Sequence, residues 1–526
     1  MIALHLVLMQ ASALPDDITT LKRLLASRDE MIARLMAEIA RLKRWQYGRS
    51  SERMSDLVSQ LQLALGDLPT PSAPPVSAEQ PKTIPPQEPT AGSAGEKKVL
   101  PFRRKARVFP DHLPRETIVH APSSCDCPEC GNKMRVLGED ISEMLDFIPS
   151  YFMVMRHVRP KLACSRCARV VQSPAPSRPI ARGMAAPGLL AQVVVAKYAD
   201  HCPLYRQQGI YRRSGVELDR ATLAAWVREA ANLLTPLADA VGRYVREAGK
   251  IHTDDTPVPV LAPGRGKTRT ARLWTYVRDD RPAGSEAPPA VWYRYSPDRK
   301  GERPRSHLEG YAGILQADGY SGYNALYAEG RIQEAACWAH ARRKFFDVLQ
   351  VTPSPIATEA LRRIAELYAV ERTVRGRLPA ERQAVREAQS APLLAELRTW
   401  LTSTLPTLSA KSGLANAIRY ALARWTALTG FCDDGRIEID NNTAEREIRP
   451  LVMGRKNYLF QGSDRGGDSA AAIYTLIGTA RLNGIEPYAY LRAVFERIAD
   501  HPINRIDELL PWRLDTAPSD RLRQAA

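Results

Sequence analysis

The stretch Ile437–Phe460, IEIDNNTAEREIRPLVMGRKNYLF, sets the carboxylate of Glu445 at the start of a predicted helix, behind Asn441 and Asn442 and ahead of Arg446, Arg449, Arg455 and Lys456. A carboxylate among guanidiniums does not suit an apolar core. In one reading, the Asn442–Glu445 spacing is a capping box, with the Glu side chain folded back onto the backbone N–H of Asn442. In the other, Glu445 is one of several acids around metal ions that act on a phosphate backbone. A carboxylate bonded to the Asn442 amide cannot also hold a metal, so the two readings compete for one side chain.

Upstream, residues 346–432 are helical by period, with amphipathic segments near 356–375, 380–403 and 412–428. Their polar faces are rich in Arg, which suits either nucleic acid or water. Before them come three β-type runs, KIHTDDTPVPVLA, RLWTYVRDD and PAVWYRYSPDR, then a helix near 306–311 and the apolar strand of GILQADGYSGYNALY, which ends at Asp318. A further helix leads into RIQEAACWAHARRKFF. Strand, strand, strand, helix, strand, helix, strand predicts a mixed α/β sheet. Past the opening stretch, two helices broken at Gly484 and Pro487 close the chain.

This sheet offers further acids. Asp254 or Asp255 lies in the first strand, and Asp318 closes a buried one. Each has a local explanation: Asp318 as the first residue of the turn DGYSG, Asp255 as a cap for the bend before Pro257. Phosphoryl transfer by paired metal ions, however, needs carboxylates gathered from strand ends and a facing helix, and Mg²⁺ favours such oxygen ligands. Alternate strand residues point to opposite faces, so one of Asp254 and Asp255 faces any such site.

The N-terminal half carries other signals. Ile18, Leu25, Ile32 and Ile39 alternate with Leu21, Leu35 and Leu42 at heptad spacing, Arg28 being the polar exception, which predicts a coiled coil or amphipathic helix and favours self-association. A stretch rich in Pro, Ser, Ala and Thr follows as a linker, ending in the basic cluster Arg103, Arg104, Lys105 and Arg107. Cys127 and Cys130 form one CxxC pair, and Cys164 and Cys167 a second; joined by β-rich sequence, they suit a closed, structural tetrahedral zinc site. Cys125 is a competing thiol. YRQQGIYRRSGVELDRATLAAWVREAANLL reads as helix, turn, helix, with Asp219 or Thr222 as cap and Arg220 on the exposed start of the second helix, where a major groove would meet it. Among 526 residues, 74 Lys and Arg oppose 58 Asp and Glu, a net charge of +16 that favours a polyanionic partner. Eight cysteines are too few for a disulfide scaffold, and no segment is apolar for long enough to span a bilayer, so a cytoplasmic protein with no membrane partner is expected.

HTDDTPV, LQADGYSGY, CWAHARRKFF and DNNTAEREIRPLVMGRKNYLFQGS, together with GRSSER, the CxxC pairs and LNGIEPYAYL, resemble in the same order the motifs of the insertion-sequence-66 family of bacterial transposases. The resemblance implies an RNase H-like core with an all-helical insertion between the second and third acids of a DDE triad. On matching positions that triad is Asp254, Asp318 and Glu445, holding Mg²⁺ or Mn²⁺ beside a structural Zn²⁺. The family commonly shows Asp-Glu-Thr at the first motif where this chain has Asp254-Asp255-Thr256, which leaves the choice between Asp254 and Asp255 open. Under the same resemblance, His340, Arg342, Arg343 and Lys344 neutralise or position phosphate, Arg449, Arg455 and Lys456 meet the DNA backbone, and Cys337 and Trp338 are buried.

The expected reaction is cleavage at transposon ends, followed by attack of the freed 3′ hydroxyl on target DNA. The partners are double-stranded DNA (terminal inverted repeats and target), a homo-oligomer and small accessory proteins. Rival readings are a nuclease that does not join strands and a zinc-containing DNA-binding regulator without catalysis. The implied layout is a coiled-coil helix (1–65), a disordered linker (66–107), a zinc module (108–180), a helix-turn-helix-like domain (181–249), a first core segment (250–345), the insertion (346–432), a second core segment with C-terminal helices (433–512) and a flexible tail (513–526).

Overall fold

The computed structural model describes residues 109–515 apart from Pro110, His112, Ser123, Pro149, Ser150, Ala168 and Arg182. The expected coiled coil, the linker with its basic cluster, and the tail beyond Asp515 lie outside the described residues.

The first sheet holds β1 (Arg115–Val119), β2 (Met134–Ile148), β3 (Tyr151–Cys164) and β4 (Val170–Gln172), with β3 between β1 and β2 and also pairing with β4. The long antiparallel β2–β3 hairpin brings Met134 opposite Cys164, so both CxxC pairs meet at one end of it. Then α1 (Pro187–Tyr198), α2 (Leu204–Arg213) and α3 (Arg220–Arg246) follow. Along α3, Leu223, Trp226, Val227, Ala230, Leu234, Leu237, Val241 and Val245 recur at helical spacing and are all buried, so this face enters the core. Asp219 occupies its N-cap position without a side-chain capping bond, and Arg220 is exposed.

The second sheet contains β5 (Lys250–Leu261), β6 (Thr268–Arg278), β7 (Ala290–Ser296), β8 (Gly313–Gln316) and β9 (Ile332–Ala335), in the spatial order β7-β6-β5-β8-β9. The first three pair antiparallel; β5, β8 and β9 pair parallel. Between them lie α4 (Glu302–His307), four residues earlier than the expected start at Ser306, and α5 (Asn324–Ala328). Gly310 takes a φ of 76°, backbone that a helix cannot use, so the helix does not reach Tyr311. Prolines are unwelcome in a central strand, yet β5 holds Pro257 and Pro259. Pairing with β8 stops at His252↔Gln316, and the Pro259 carbonyl and Leu261 amide on that side are taken by Gln461, so no neighbouring strand needs the missing N–H groups.

The helical segments are α6 (Trp338–Val351), α7 (Pro355–Val374), α8 (Pro379–Val385), a π turn at Arg386–Ser390 that continues into α9 (Ala391–Thr404), α10 (Gly413–Ala423) and α11 (Trp425–Asp433). They share a core of their own around Trp338, Phe345, Ile364, Leu397, Ile418 and Phe431. Not all arginines of this stretch lie on the polar faces expected to meet nucleic acid or water: Arg382 and Arg386 have no exposed surface. Arg386 forks onto Glu371 at 2.6 and 2.7 Å, and Arg382 lies 2.9 Å from Glu438.

The chain returns to the sheet through α12 (Asn442–Asn457), α13 (Asp464–Leu482) and α14 (Pro487–Arg497). α12 packs on β5 and β6, and α13 on β7 and α3. Thr475 and Thr479 of α13 accept the amides of Tyr293 and Val291, so helix hydroxyls stand in for a further strand at this sheet edge. A Cβ at Gly242 of α3 would lie 2.6 Å from the Trp292 ring, which fixes glycine where helix and sheet approach closely. No helix among the described residues is long and apolar enough to cross a membrane.

Candidate metal and nucleic-acid site

Register relates the first two acids. β5 and β8 run parallel with His252 opposite Gln316 as their last pair, so Asp254, within β5, and Asp318, just past the end of β8, each follow that pair by two residues. The charge of Asp318 raises both Asp254 and Asp255, and that of Glu445 also acts on Asp254. Burial, then the negative charge of Asp318, and further those of Asp255 and Glu445, push its carboxyl up to about 8, against the stabilising amide of Asp255. Asp255 is committed elsewhere: its side chain is 2% exposed and is held by Arg272 and Arg299 at 2.9 and 2.8 Å.

Asp318 does begin a turn, one oxygen accepting the Tyr320 amide at 2.9 Å; its other oxygen lies 3.9 Å from Arg299. The local explanation and an exposed oxygen therefore coexist in one carboxylate.

The capping box at α12 does not form. The Asn442 amide bonds to Asp440 at 3.1 Å, while the Glu445 carboxylate lies 3.7 Å from Nδ1 of His340. Asn441, fully buried, occupies the cap position without capping: its amide group donates to the Thr253 carbonyl at 2.8 Å, its oxygen faces His252 at 3.1 Å, and its backbone N–H meets the Cys337 sulfur at 3.2 Å. The start of α12 is thereby fastened to β5 beside Asp254 and to the start of α6. Glu438 adds a second fastening, its backbone bonding both ends of the Gln316 amide at 2.5 and 3.3 Å, two residues before Asp318.

Among the described residues, the sets whose ligand atoms lie within 4.8 Å of one another are the four cysteines, and Cys337 with His340 and Glu445. Asp254, Asp318 and Glu445 do not form such a set. The donor set fits divalent cations: oxygen ligands, a negative balance, and a carboxyl that burial keeps protonated unless a cation compensates it. Cys337 is a poor third ligand for Glu445 and His340, since burial pushes its thiol up to about 12 and it already accepts the Asn441 amide.

At the end of the β2–β3 hairpin, Cys127 and Cys167 sulfurs lie 3.1 Å apart, Cys130 and Cys164 3.4 Å, and Cys130 and Cys167 3.8 Å. A tetrahedral zinc with bonds near 2.3 Å separates its sulfurs by about 3.8 Å, so the four thiols fit it closely. The thiols share protons in the metal-free cluster: the amides of Cys167 and Arg166 draw Cys164 down, whereas hydrogen bonding to Cys127 pushes Cys167 up. Cys125 is exposed and outside the cluster.

The basic residues expected at the DNA divide. Arg342, Arg343, Arg449 and Lys456 are exposed. Lys344 sits 4.3 Å over the Tyr420 ring, and Arg455 is half-buried and bonded to the Pro257 carbonyl. His340 faces Glu445. Cys337 and Trp338 are buried, as expected. Arg220 is exposed at the first residue of α3. Sequence reading missed Arg272, Arg299 and Asn441, whose partners are far away in the chain.

A mixed α/β protein with acids gathered on adjoining strands and a four-cysteine cluster now meets its relatives. The family described as "Transposase IS66 family" matches residues 182–469. The "IS66 C-terminal element" matches 475–512, the "zinc-finger binding domain of transposase IS66" 124–168, and "Transposase C of IS166 homeodomain" 34–118. The chain belongs to the IS66 family of transposases. Among similar curated proteins of Sinorhizobium fredii (strain NBRC 101917 / NGR234), the uncharacterized protein y4hP is 40% identical over 94% of this chain and 91% of its own length. The uncharacterized protein y4jD is 39% identical over 98% and 99%. Membership supports a transposase role, DNA as partner and a divalent metal cofactor, and the zinc-finger match over the four cysteines supports structural zinc.

Proposed function

We propose that the chain is a DDE transposase with an RNase H-like core, cutting phosphodiesters at transposon ends and joining the freed 3′ hydroxyl to target DNA. The observation that carries this reading is the register of β5 and β8, which leaves Asp254 and Asp318 each two residues beyond the His252–Gln316 pair, with the Glu445 charge reaching Asp254 from the helix packed on β5 and β6. The sheet order, three antiparallel strands followed by two parallel ones, supports the RNase H-like assignment.

Asp254, Asp318 and Glu445 would hold Mg²⁺ or Mn²⁺, which when bound supplies Lewis-acid polarisation of phosphate oxygen and lowers the pKa of bound water. The chain's own part is placement. Asn441 and Glu438 fasten the returning segment to β5 and β8, so the helix acid keeps its distance from the strand acids. His340 abuts Glu445 and restricts its rotamer. In the first step water attacks phosphorus in line and the 3′ oxygen leaves as a hydroxyl; in the second that 3′ hydroxyl loses its proton and attacks a target phosphodiester in line, expelling the target strand's 3′ oxygen, which takes up a proton. Both steps have the same geometry at phosphorus, so one site serves both. Exposed Arg342, Arg343, Arg449 and Lys456 line up with a backbone-contact role, which positions DNA without reading sequence.

Glu445→Gln tests the assignment. Cleavage of DNA carrying the element's ends should be lost while DNA binding by anisotropy persists; normal cutting by this variant would remove Glu445 from the triad.

A further inference from the structure

We infer that Arg299, anchored by Asp255, is the residue that contacts the scissile phosphate; this rests on the reading of the acids given above. Its guanidinium is fixed on several sides. Nη2 and Nε lie 2.8 and 2.9 Å from one oxygen of Asp255, a carboxylate only 2% exposed. The plane stacks on the Tyr320 ring with its centre 4.0 Å from the centroid, and the Tyr320 hydroxyl donates to the Arg299 carbonyl. Nη2, already bonded to Asp255, also lies 3.9 Å from Asp318, and 36% of the side chain is exposed.

The difference between these distances sets the role. A guanidinium serving only to neutralise Asp318 would close on it; this one holds Asp255 closely and leaves Asp318 at arm's length. Asp255 carries two cations, Arg299 and Arg272, so the anchor leaves about one positive charge in excess beside the acids. Arg455 continues the series, bonded to the Pro257 carbonyl and close enough to Arg272 for the two charges to repel. Arg299, Arg272 and Arg455 thus flank β5 from Asp255 to Pro257, a row of guanidiniums leading up to the acids. A pre-oriented guanidinium at a phosphoryl centre stabilises charge that grows in the transition state, and needs no reorganisation when it does so. With the Nε–Nη2 edge on Asp255, the Nη1–Nη2 end of the fork is the part that suits two non-bridging oxygens, which an ammonium cannot match.

The test uses the full chain and a plasmid carrying the genomic DNA that flanks its coding sequence on both sides. Arg299→Gln should lower Mn²⁺-dependent nicking about 100-fold at saturating DNA and Mn²⁺. Arg299→Lys should recover only part of that. In Ca²⁺, the slope of log Kd for the flanking DNA against log salt should shrink by about 1 for Arg299→Gln, the loss of one phosphate contact. Mn²⁺ affinity measured by calorimetry on the DNA-free protein should stay within about threefold of the parent. The inference is overturned if Arg299→Gln leaves both slope and nicking unchanged, or if it tightens Mn²⁺ binding more than about tenfold, the mark of a plug on Asp318. Asp318→Asn, run alongside, separates the failures: an inactive Asp318→Asn beside a normal Arg299→Gln sinks this inference alone, whereas an active Asp318→Asn sinks the reading of the acids.

Discussion

Loading a divalent cation should expel a proton from Asp254. With the carboxyl held up at about 8 by burial and by Asp318, the acid is mostly neutral at pH 7 in the metal-free chain. The protonated fraction is about 0.9 at pH 7, about 0.5 at pH 8 and about 0.1 at pH 9, and a coordinating carboxylate must be ionised. Proton release per metal-loaded site should follow that series. The sign is fixed: a carboxyl raised above its ordinary value competes with the cation below its pKa, so apparent affinity falls as pH drops beneath 8, by up to about tenfold per unit. Calorimetric titration of zinc-loaded protein with Mn²⁺, in two buffers of different protonation enthalpy, reads the number directly. Asp254→Asn should remove the release at pH 7. Equal release from parent and variant, or none from the parent at pH 7, would refute the assignment of Asp254 as the buried ligand.

Other expectations concern the scaffold. Cys127→Ser should drop zinc content, by colorimetric assay of the denatured protein, from about one ion per chain to near none, while Cys125→Ser keeps it, because Cys125 stands outside the cluster. Asn441→Ala leaves the Thr253 carbonyl and His252 unpartnered in the interior; it should cost about 2–4 kcal/mol in denaturant unfolding and lower cleavage without changing DNA affinity. Arg382→Met strips a fully buried cation from Glu438 and should destabilise by about 3 kcal/mol, with Arg382→Lys only partly restoring it.

Local pattern carried much of this architecture. Alternation and punctuation marked β5 to β9 in their observed order, and two CxxC pairs on a β-rich hairpin announced the sulfur cluster, because both signals are set by neighbours in sequence. Where partners are distant, the pattern failed. The Asn doublet made Asn442 look like a cap for Glu445, but the helix begins one residue earlier in register, and Asn441 spends its side chain on β5. Nothing near residue 441 in the chain announces Thr253. Arg299 lies 44 residues from the Asp255 it binds, and Arg386 and Arg382, in a stretch whose polar faces suited either nucleic acid or water, are buried with Glu371 and Glu438 meeting them from other elements. Asp254 and Asp255 differ by strand face alone, so only the arginines around Asp255 separate their roles.

The most direct measurement is anomalous diffraction from crystals of the zinc-loaded protein soaked in Mn²⁺, collected at the manganese edge. Two manganese peaks about 3.5 to 4 Å apart among Asp254, Asp318 and Glu445 are predicted. A single peak between Cys337, His340 and Glu445, with none at the strand acids, would contradict the account.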